Sequence, residues 1–288
     1  MKFMFEQHYE EIDGVRIHYV DEGSGPPILM VHGQPTWSYL YRKMIPPLVD
    51  AGYRCIAPDL MGFGLSDKPT DESVYTLRRH VELMTGLIGK LQLKGITTVG
   101  HDWGGPISLR YAIDHQDNLR ALVILNTLVK TIPIPLLFSL VFRSGRFSSF
   151  LIRRMDLFRR IAFRRGWPFR RPIESSVMEQ YKMPHPTAAS RAGIAAFPKM
   201  VPGNGRHPNA EYISEIDAVL RDWDIPVLVM FSDGDIAFKI DEGQRIAEMV
   251  PNGRFQIVRN AGHYLQEDAG EEIAQRMVTF LRDEAKVS

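Results

Sequence analysis

Gly100-His101-Asp102-Trp103-Gly104 is the stretch on which the reading of this chain turns. It is a G-x-nucleophile-x-G turn with an aspartate in the place where serine usually stands. Before it, Ile96-Thr97-Thr98-Val99 is β-branched and apolar, as a buried strand requires. After it, Pro106 to Ile113 carries apolar residues at helical spacing. Strand, tight turn and helix together make a nucleophile elbow, which lifts its third residue out of the sheet. A carboxylate held there can displace a leaving group from a saturated carbon and become an ester. Water can then cleave that ester at the enzyme's own carbonyl. An ordinary strand–helix turn with a capping aspartate would share the pentapeptide, so the reading depends on the rest of the chain.

Outward from the elbow, strand-like runs lie at Val15 to Val20, Pro27 to Val31, Arg54 to Pro58, Ala121 to Leu125, Pro226 to Phe231 and Arg254 to Val258. Helical patterns at Tyr39 to Ala51 and Leu77 to Leu91 fill gaps between them. Such alternation predicts an α/β protein with a mostly parallel sheet flanked by helices. It breaks between Leu128 and Ser214, where helical patches appear without a clear strand. The expected organisation is a core over 1–128 and 214–288, with a helical cap inserted over 129–213. Open α/β sheets bind ligands outside the carboxyl ends of their strands, so the cap is expected to roof the site.

Bulk properties narrow the function classes. At 288 residues the chain can bury a large core, and 44% hydrophobic with 24% charged residues suits a globular protein. A net charge of +1 gives no global argument for nucleic acid. The one cysteine, Cys55, excludes an internal disulfide and a thiolate metal cluster, and its apolar setting suggests a buried, inert thiol. No metal site is expected. Met1 to Ile12 lacks a signal-peptide pattern, and the apolar run Ile132 to Phe142 holds Pro133 and Pro135 and is too short to span a bilayer. A cytoplasmic location is the expectation.

A carboxylate nucleophile needs a base to activate water and an acid to orient that base. His263, after the last strand, supplies the base, and Asp235, past the strand Pro226 to Phe231, the acid. Nucleophile, acid, histidine is the chain order of this arrangement. Asp233 competes for the acid position, and Asp235 is preferred because it lies further into the loop. Asn126 to Lys130 offers no carboxylate after the preceding strand. His32 and His101 flank the site and are expected to support it. His8, His18, His80, His115, His185 and His207 are expected at the surface. Backbone N–H groups of Trp103 and Gln34 form the expected oxyanion hole. The Trp103 indole, a donor without an acceptor, suits a halide.

These residues resemble the haloalkane dehalogenase family of the α/β-hydrolase fold. His32 to Arg42, HGQPTWSYLYR, resembles its signature, in which the third position is usually Asn or Glu. Asp59 to Lys68, Gly100 to Gly105 and Ala261 to Asp268 are similar to the same family, so the resemblance covers 12–128 and 220–283. It implies an aspartate nucleophile, a histidine base, a tryptophan donor after the nucleophile, and no cofactor. It leaves the second halide donor open. One branch uses Asn at position 34, where this chain has Gln34, and another uses a cap tryptophan, for which Trp167 is the candidate.

Relatives with the same Asp-His-Asp set open epoxides or decarboxylate β-lactones. Epoxide opening needs a pair of cap phenols, and Tyr181 is the only tyrosine between Leu128 and Glu211. The expected partners are a hydrophobic small molecule and water, with no nucleic acid. Residues 143–171 add a further possibility, with ten arginines, one acid (Asp156) and interleaved apolar residues. This basic amphipathic segment could rest on an anionic membrane or mediate self-association. It could equally be a solvated cap face whose arginine stems cover apolar surface.

Overall fold

The computed structural model describes residues 5–131, 134–164, 168–203 and 205–284. Eight strands form one sheet: β1 (His8–Ile12), β2 (Val15–Glu22), β3 (Pro27–Val31), β4 (Arg54–Pro58), β5 (Ile96–His101), β6 (Leu119–Leu125), β7 (Val227–Ser232) and β8 (Gly253–Val258). Their order across the sheet is β1-β2-β4-β3-β5-β6-β7-β8. β1 and β2 pair antiparallel, β2 runs antiparallel to β4, and all remaining pairs are parallel.

The helices are α1 (Ile45–Asp50), α2 (Leu77–Lys90), α3 (Gly104–Asp114), α4 (Leu136–Phe142), α5 (Arg146–Arg153), α6 (Leu157–Ala162), α7 (Ser175–Lys182), α8 (Ala192–Met200), α9 (Pro208–Leu220), α10 (Ile240–Met249) and α11 (Leu265–Glu284). Side chains alternate across each strand. In β3, Leu29 and Val31 enter a core shared with α2, α3 and α10, while Ile28 and Met30 enter one shared with α1 and α11. Truncating Ile28, Leu29 or Met30 to alanine would cost about 2–5 kcal/mol, because a dense core collapses poorly around a hole.

Two local expectations are corrected. The helix read over Tyr39 to Ala51 is a 3-10 turn at Ser38–Tyr41 followed by α1, because Pro46 and Pro47 have no N–H to donate and favour a helix start. The strand β1 carries Glu10 and Glu11 at the sheet edge, and this charge hid it from a hydrophobic pattern. Between β6 and β7 the described residues are helical or irregular, and α4, α6 and α8 line a cavity with residues from the carboxyl ends of the parallel strands. α9 packs on α3 of the core, so the 213/214 division falls inside that helix.

Three histidines expected at the surface are buried: His18, His80 and His185. Aromatic neighbours hide two of them. His80 packs against Tyr75 and Phe197, His185 against Phe63, and burial lowers the pKa of each to about 3. His18 points inward from β2, and its Nδ1 meets Asp59 Oδ2 at 2.7 Å. Asp59 also accepts from the Ser38 and Leu65 amides, each at 2.7 Å. Burial alone would raise the Asp59 pKa, but His18, His32 and the Leu65 amide hold it below the ordinary value. His8, His115 and His207 are half-exposed. Cys55 is buried, which pushes its thiol up to about 12. No helix among the described residues is long and apolar enough to cross a membrane.

Candidate active site

β5 ends at His101 and α3 begins at Gly104, leaving Asp102 in the turn with φ +52°. That left-handed conformation is uncommon for a residue with a side chain, although aspartate tolerates it better than most. Three bonds enforce it. The Asp102 N–H donates to Asn126 O at 3.0 Å, and its carbonyl accepts from Gly105 N (3.1 Å) and Thr127 Oγ1 (2.5 Å). Close approach explains two glycines. A Cβ on Gly104 would lie 1.9 Å from Val31 O, and one on Gly33 would lie 2.2 Å from Asp102 Oδ1.

The Asp102 carboxylate meets two kinds of partner. Oδ1 accepts the Gln34 N–H at 2.8 Å, and the Trp103 N–H also bonds the carboxylate. Oδ2 lies 3.8 Å from His263 Nε2. Burial pushes the Asp102 carboxyl above its ordinary pKa, against the opposing pull of His263 and the two amides.

On its other side, His263 Nδ1 bonds Asp235 Oδ2 at 2.8 Å. Asp235 is further held by Asn126 Nδ2 (2.9 Å) and the Ala237 N–H (2.7 Å). Burial would lower the His263 pKa, but the charge and hydrogen bond of Asp235, with Asp102 behind them, hold it above the usual histidine value. Asp233 is exposed and instead accepts a long bond from Ala261 N at 3.4 Å. Asp102, His263 and Asp235 thus come together in one line, and Asp233 stands outside it.

The two flanking histidines shape the backbone around this line. His32 Nε2 accepts from Leu60 N, so its Nδ1–H donates to Gly33 O, each at 2.9 Å. This fixes the turn that presents the Gln34 amide. His101 Nε2 donates to the His263 carbonyl at 2.9 Å.

Above the carboxylate lies a cavity of about 490 Å³ whose apolar walls include Leu128, Phe138, Phe158 and Phe238. Its polar floor is Gln34, Asp102, Trp103 and His263. A mainly apolar pocket with a few convergent polar groups suits a small hydrophobic molecule. Among the described residues no cluster of His, Cys, Asp or Glu could hold a metal ion.

Residues 26–270 match the model of the alpha/beta hydrolase fold family. The haloalkane dehalogenase of Psychrobacter cryohalolentis is 36% identical over 292 residues, covering 98% of this chain and 94% of that protein. The chain belongs to the haloalkane dehalogenase family of the α/β-hydrolase fold. A second relative, the cis-3-alkyl-4-alkyloxetan-2-one decarboxylase of Shewanella oneidensis, is 33% identical over 286 residues, or 97% of this chain and 89% of that one. Among solved structures, the haloalkane dehalogenase DatA from Agrobacterium tumefaciens superposes with a TM-score of 0.88 at 26% identity, covering 97% of each chain.

The resemblance leaves two candidates for a second halide donor, Gln34 and Trp167. Trp167 lies outside the described residues. The Gln34 carboxamide lines the cavity, and its Nε2 donates to Ile194 O on α8 at 2.7 Å. A carboxamide has two N–H groups, so one remains for a ligand. The Trp103 ring is wedged against Phe197 of α8, with centroids 5.7 Å apart at 78°.

Sequence reasoning missed two residues. Asn126 is no acid, yet its side chain bridges Asp235, Ser232 Oγ (2.7 Å) and the loop before His263. Its position directly after a buried strand, here with φ +22°, is visible locally, but the bonds that give it its role are not. Asp268 lies in the stretch Ala261 to Asp268, whose resemblance assigns it no role. Its carboxylate accepts from Gly262 N (2.8 Å), Arg170 N (3.0 Å) and Arg171 N (2.9 Å), tying the chain before α7 to the histidine loop. Nothing in the sequence links positions 98 residues apart.

Proposed function

We propose that the protein hydrolyses carbon–halogen bonds to alcohol and halide through an ester on Asp102. The observation that carries this reading is the nucleophile geometry. A buried carboxylate sits on the elbow, with one oxygen in an amide cradle and the other 3.8 Å from a histidine paired to Asp235.

Asp102 Oδ2 attacks the halogen-bearing carbon, the carbon–halogen bond breaks, and halide leaves toward the Trp103 indole and a second donor, Gln34 or Trp167. His263, oriented by Asp235, then takes a proton from water as it adds to the ester carbonyl. The oxyanion rests on the Gln34 and Trp103 amides, where the Asp102 Oδ1 contact already exists. Collapse of the adduct returns the carboxylate and frees the alcohol. No cofactor enters this scheme. Residues 129–213 act as the cap that sets substrate size, and the partners are a hydrophobic small molecule and water. The arginine-rich cap face extends the reading toward an anionic membrane or a second copy of the chain.

A panel of bromo- and chloroalkanes tests the reaction directly, with halide release as the readout. His263→Phe should release about one halide per protein and stop, because the attack needs no base. Mass spectrometry should find the alkyl group on Asp102. Sustained turnover by that variant would remove His263 from the scheme.

The similarity to the oxetanone decarboxylase supports a second reading. The same carboxylate could act on a cis-dialkyl β-lactone, whose loss of carbon dioxide leaves an alkene. Tyr181, by contrast, donates to Glu267 and is absent from the cavity wall, so the pair of cap phenols that epoxide opening needs is lacking among the described residues. Alkene and carbon dioxide from the lactone, with no halide from any haloalkane, would put the lactone first.

A further inference from the structure

The outer face of the cap is built unlike the rest of the surface. On α4, Leu136 and Leu137 are 76% and 74% exposed, and Leu140 joins them at 55%. Phe147 and Phe150 of α5 and Ile161 of α6 are also exposed. Exposed apolar patches of this kind on a globular protein mark interaction sites. Along α5 and its C-cap, Phe147, Phe150 and Arg154 follow at i, i+3 and i+7, so they share one helix face. The opposite face buries Ser148 and Ile152.

Charge accompanies this apolar face. Arg146, Arg154, Arg160 and Arg164 are exposed, and no ion pair holds them among the described residues. Two acids beside them are engaged elsewhere, Asp156 with Arg159 and Glu72 with Arg153 and Lys199, while Asp71, in the cleft with Arg146, is bonded to Ser73. Arginines that lack acidic partners, interleaved with exposed rings and leucines, match an interfacial amphipathic surface.

We propose that the α4–α6 face docks on an anionic lipid surface, with its apolar side chains entering the headgroup boundary and its arginines meeting lipid phosphates. A second copy fits this face poorly, because a two-fold contact would set unpaired arginines against one another. Docking also places the cavity at the lipid. Phe138, on the inner side of α4, lines the cavity, and the cavity wall reaches the surface at Ile236, which is 65% exposed. A hydrophobic substrate dissolved in the bilayer would therefore meet the cap before it meets water. This delivery rests on the reaction proposed above, whereas the docking does not.

The test is flotation of the full-length protein with vesicles of phosphatidylcholine alone or mixed with phosphatidylglycerol. Binding should require phosphatidylglycerol and weaken as salt screens the arginines. Each arginine is worth roughly fivefold in such binding, so Arg146→Glu with Arg154→Glu should weaken it by about 20-fold or more. Phe147→Ser with Phe150→Ser should weaken it at every salt concentration. Both pairs should keep their thermal melts and turn over a short soluble substrate within about twofold of the parent, since none of these positions lines the cavity. Equal binding to both vesicle types, or binding indifferent to the arginine reversal, overturns the proposal. So does a dimer in sedimentation velocity that the Phe147→Ser, Phe150→Ser pair dissolves while vesicle binding is absent.

Discussion

At the elbow, each charged group has a partner: Asp235 takes His263, Asn126 and Ala237, while Asp102 takes the Gln34 and Trp103 amides and faces His263. Across α4 to α6, Arg146, Arg154, Arg160 and Arg164 stand beside exposed leucines and phenylalanines, with no ion pair among the described residues. The difference separates two tasks. A buried charge without a partner is costly, so the core must satisfy its polar groups internally, and that satisfaction fixes geometry. A solvated charge is cheap to leave unpaired, so the cap can hold its arginines for something outside the molecule. Substitutions at the elbow should therefore change chemistry, and substitutions on the cap should change access and attachment.

The sharpest way to break this contrast is at the acid. Asp235→Asn should lower turnover by about 10²–10⁴, because the amide cannot stabilise the imidazolium or fix its tautomer. Asp233→Asn should leave the steady-state rate nearly unchanged, since its side chain is exposed. The reverse ranking would transfer the acid's role and dissolve the hydrogen-bonded line described above.

A second measurement is the pH profile. His263 must be neutral to accept a proton, and its pKa lies above the usual histidine value. Ester cleavage should therefore fall on the acid side, by about tenfold per pH unit once the imidazole is protonated. The fall should begin at a higher pH than for an unperturbed histidine. In Asp235→Asn the raising charge is gone, so the acid limb should move to lower pH. A limb that stays in place would detach the titration from this pair.

The smallest expected effect lies at the join between the two regions. Asp268→Asn removes the charge that holds the Gly262, Arg170 and Arg171 amides, at a cost of roughly 1.5–3 kcal/mol for a charge-assisted contact. The melting temperature should drop while turnover changes by less than about tenfold, with KM moving more than kcat. An unchanged melt would show that the cap chain is held elsewhere.

The legible parts of this molecule are those written in adjacent residues. The elbow can be read because strand, turn and helix follow one another in sequence, and the parallel sheet because apolar runs alternate with helical ones. Asp235 and His263 could be picked out because each lies in the loop after a strand, and strand ends converge in this fold. Asn126 could not, since its task comes from β6 lying beside β7, a neighbourhood that no local pattern states. Likewise, the burial of His18, His80 and His185 comes from partners elsewhere in the chain: Asp59, Phe197 and Phe63. A polar residue reads as exposed until the group that satisfies it is known.

The Asp268 carboxylate has a mechanical consequence. It grips the loop carrying the base with one bond and the returning cap strap with two others, and Tyr264 N reinforces the join by donating to Pro168 O at 3.1 Å. The roof and the base therefore share a fulcrum. A bulky guest that lifts the strap also pulls on the loop beside His263, so the tightness of the pocket and the alignment of His263 Nε2 with Asp102 are one adjustable quantity. Swapping cap residues to admit larger guests should then trade speed for breadth, unless the swap leaves positions 168–171 where they are.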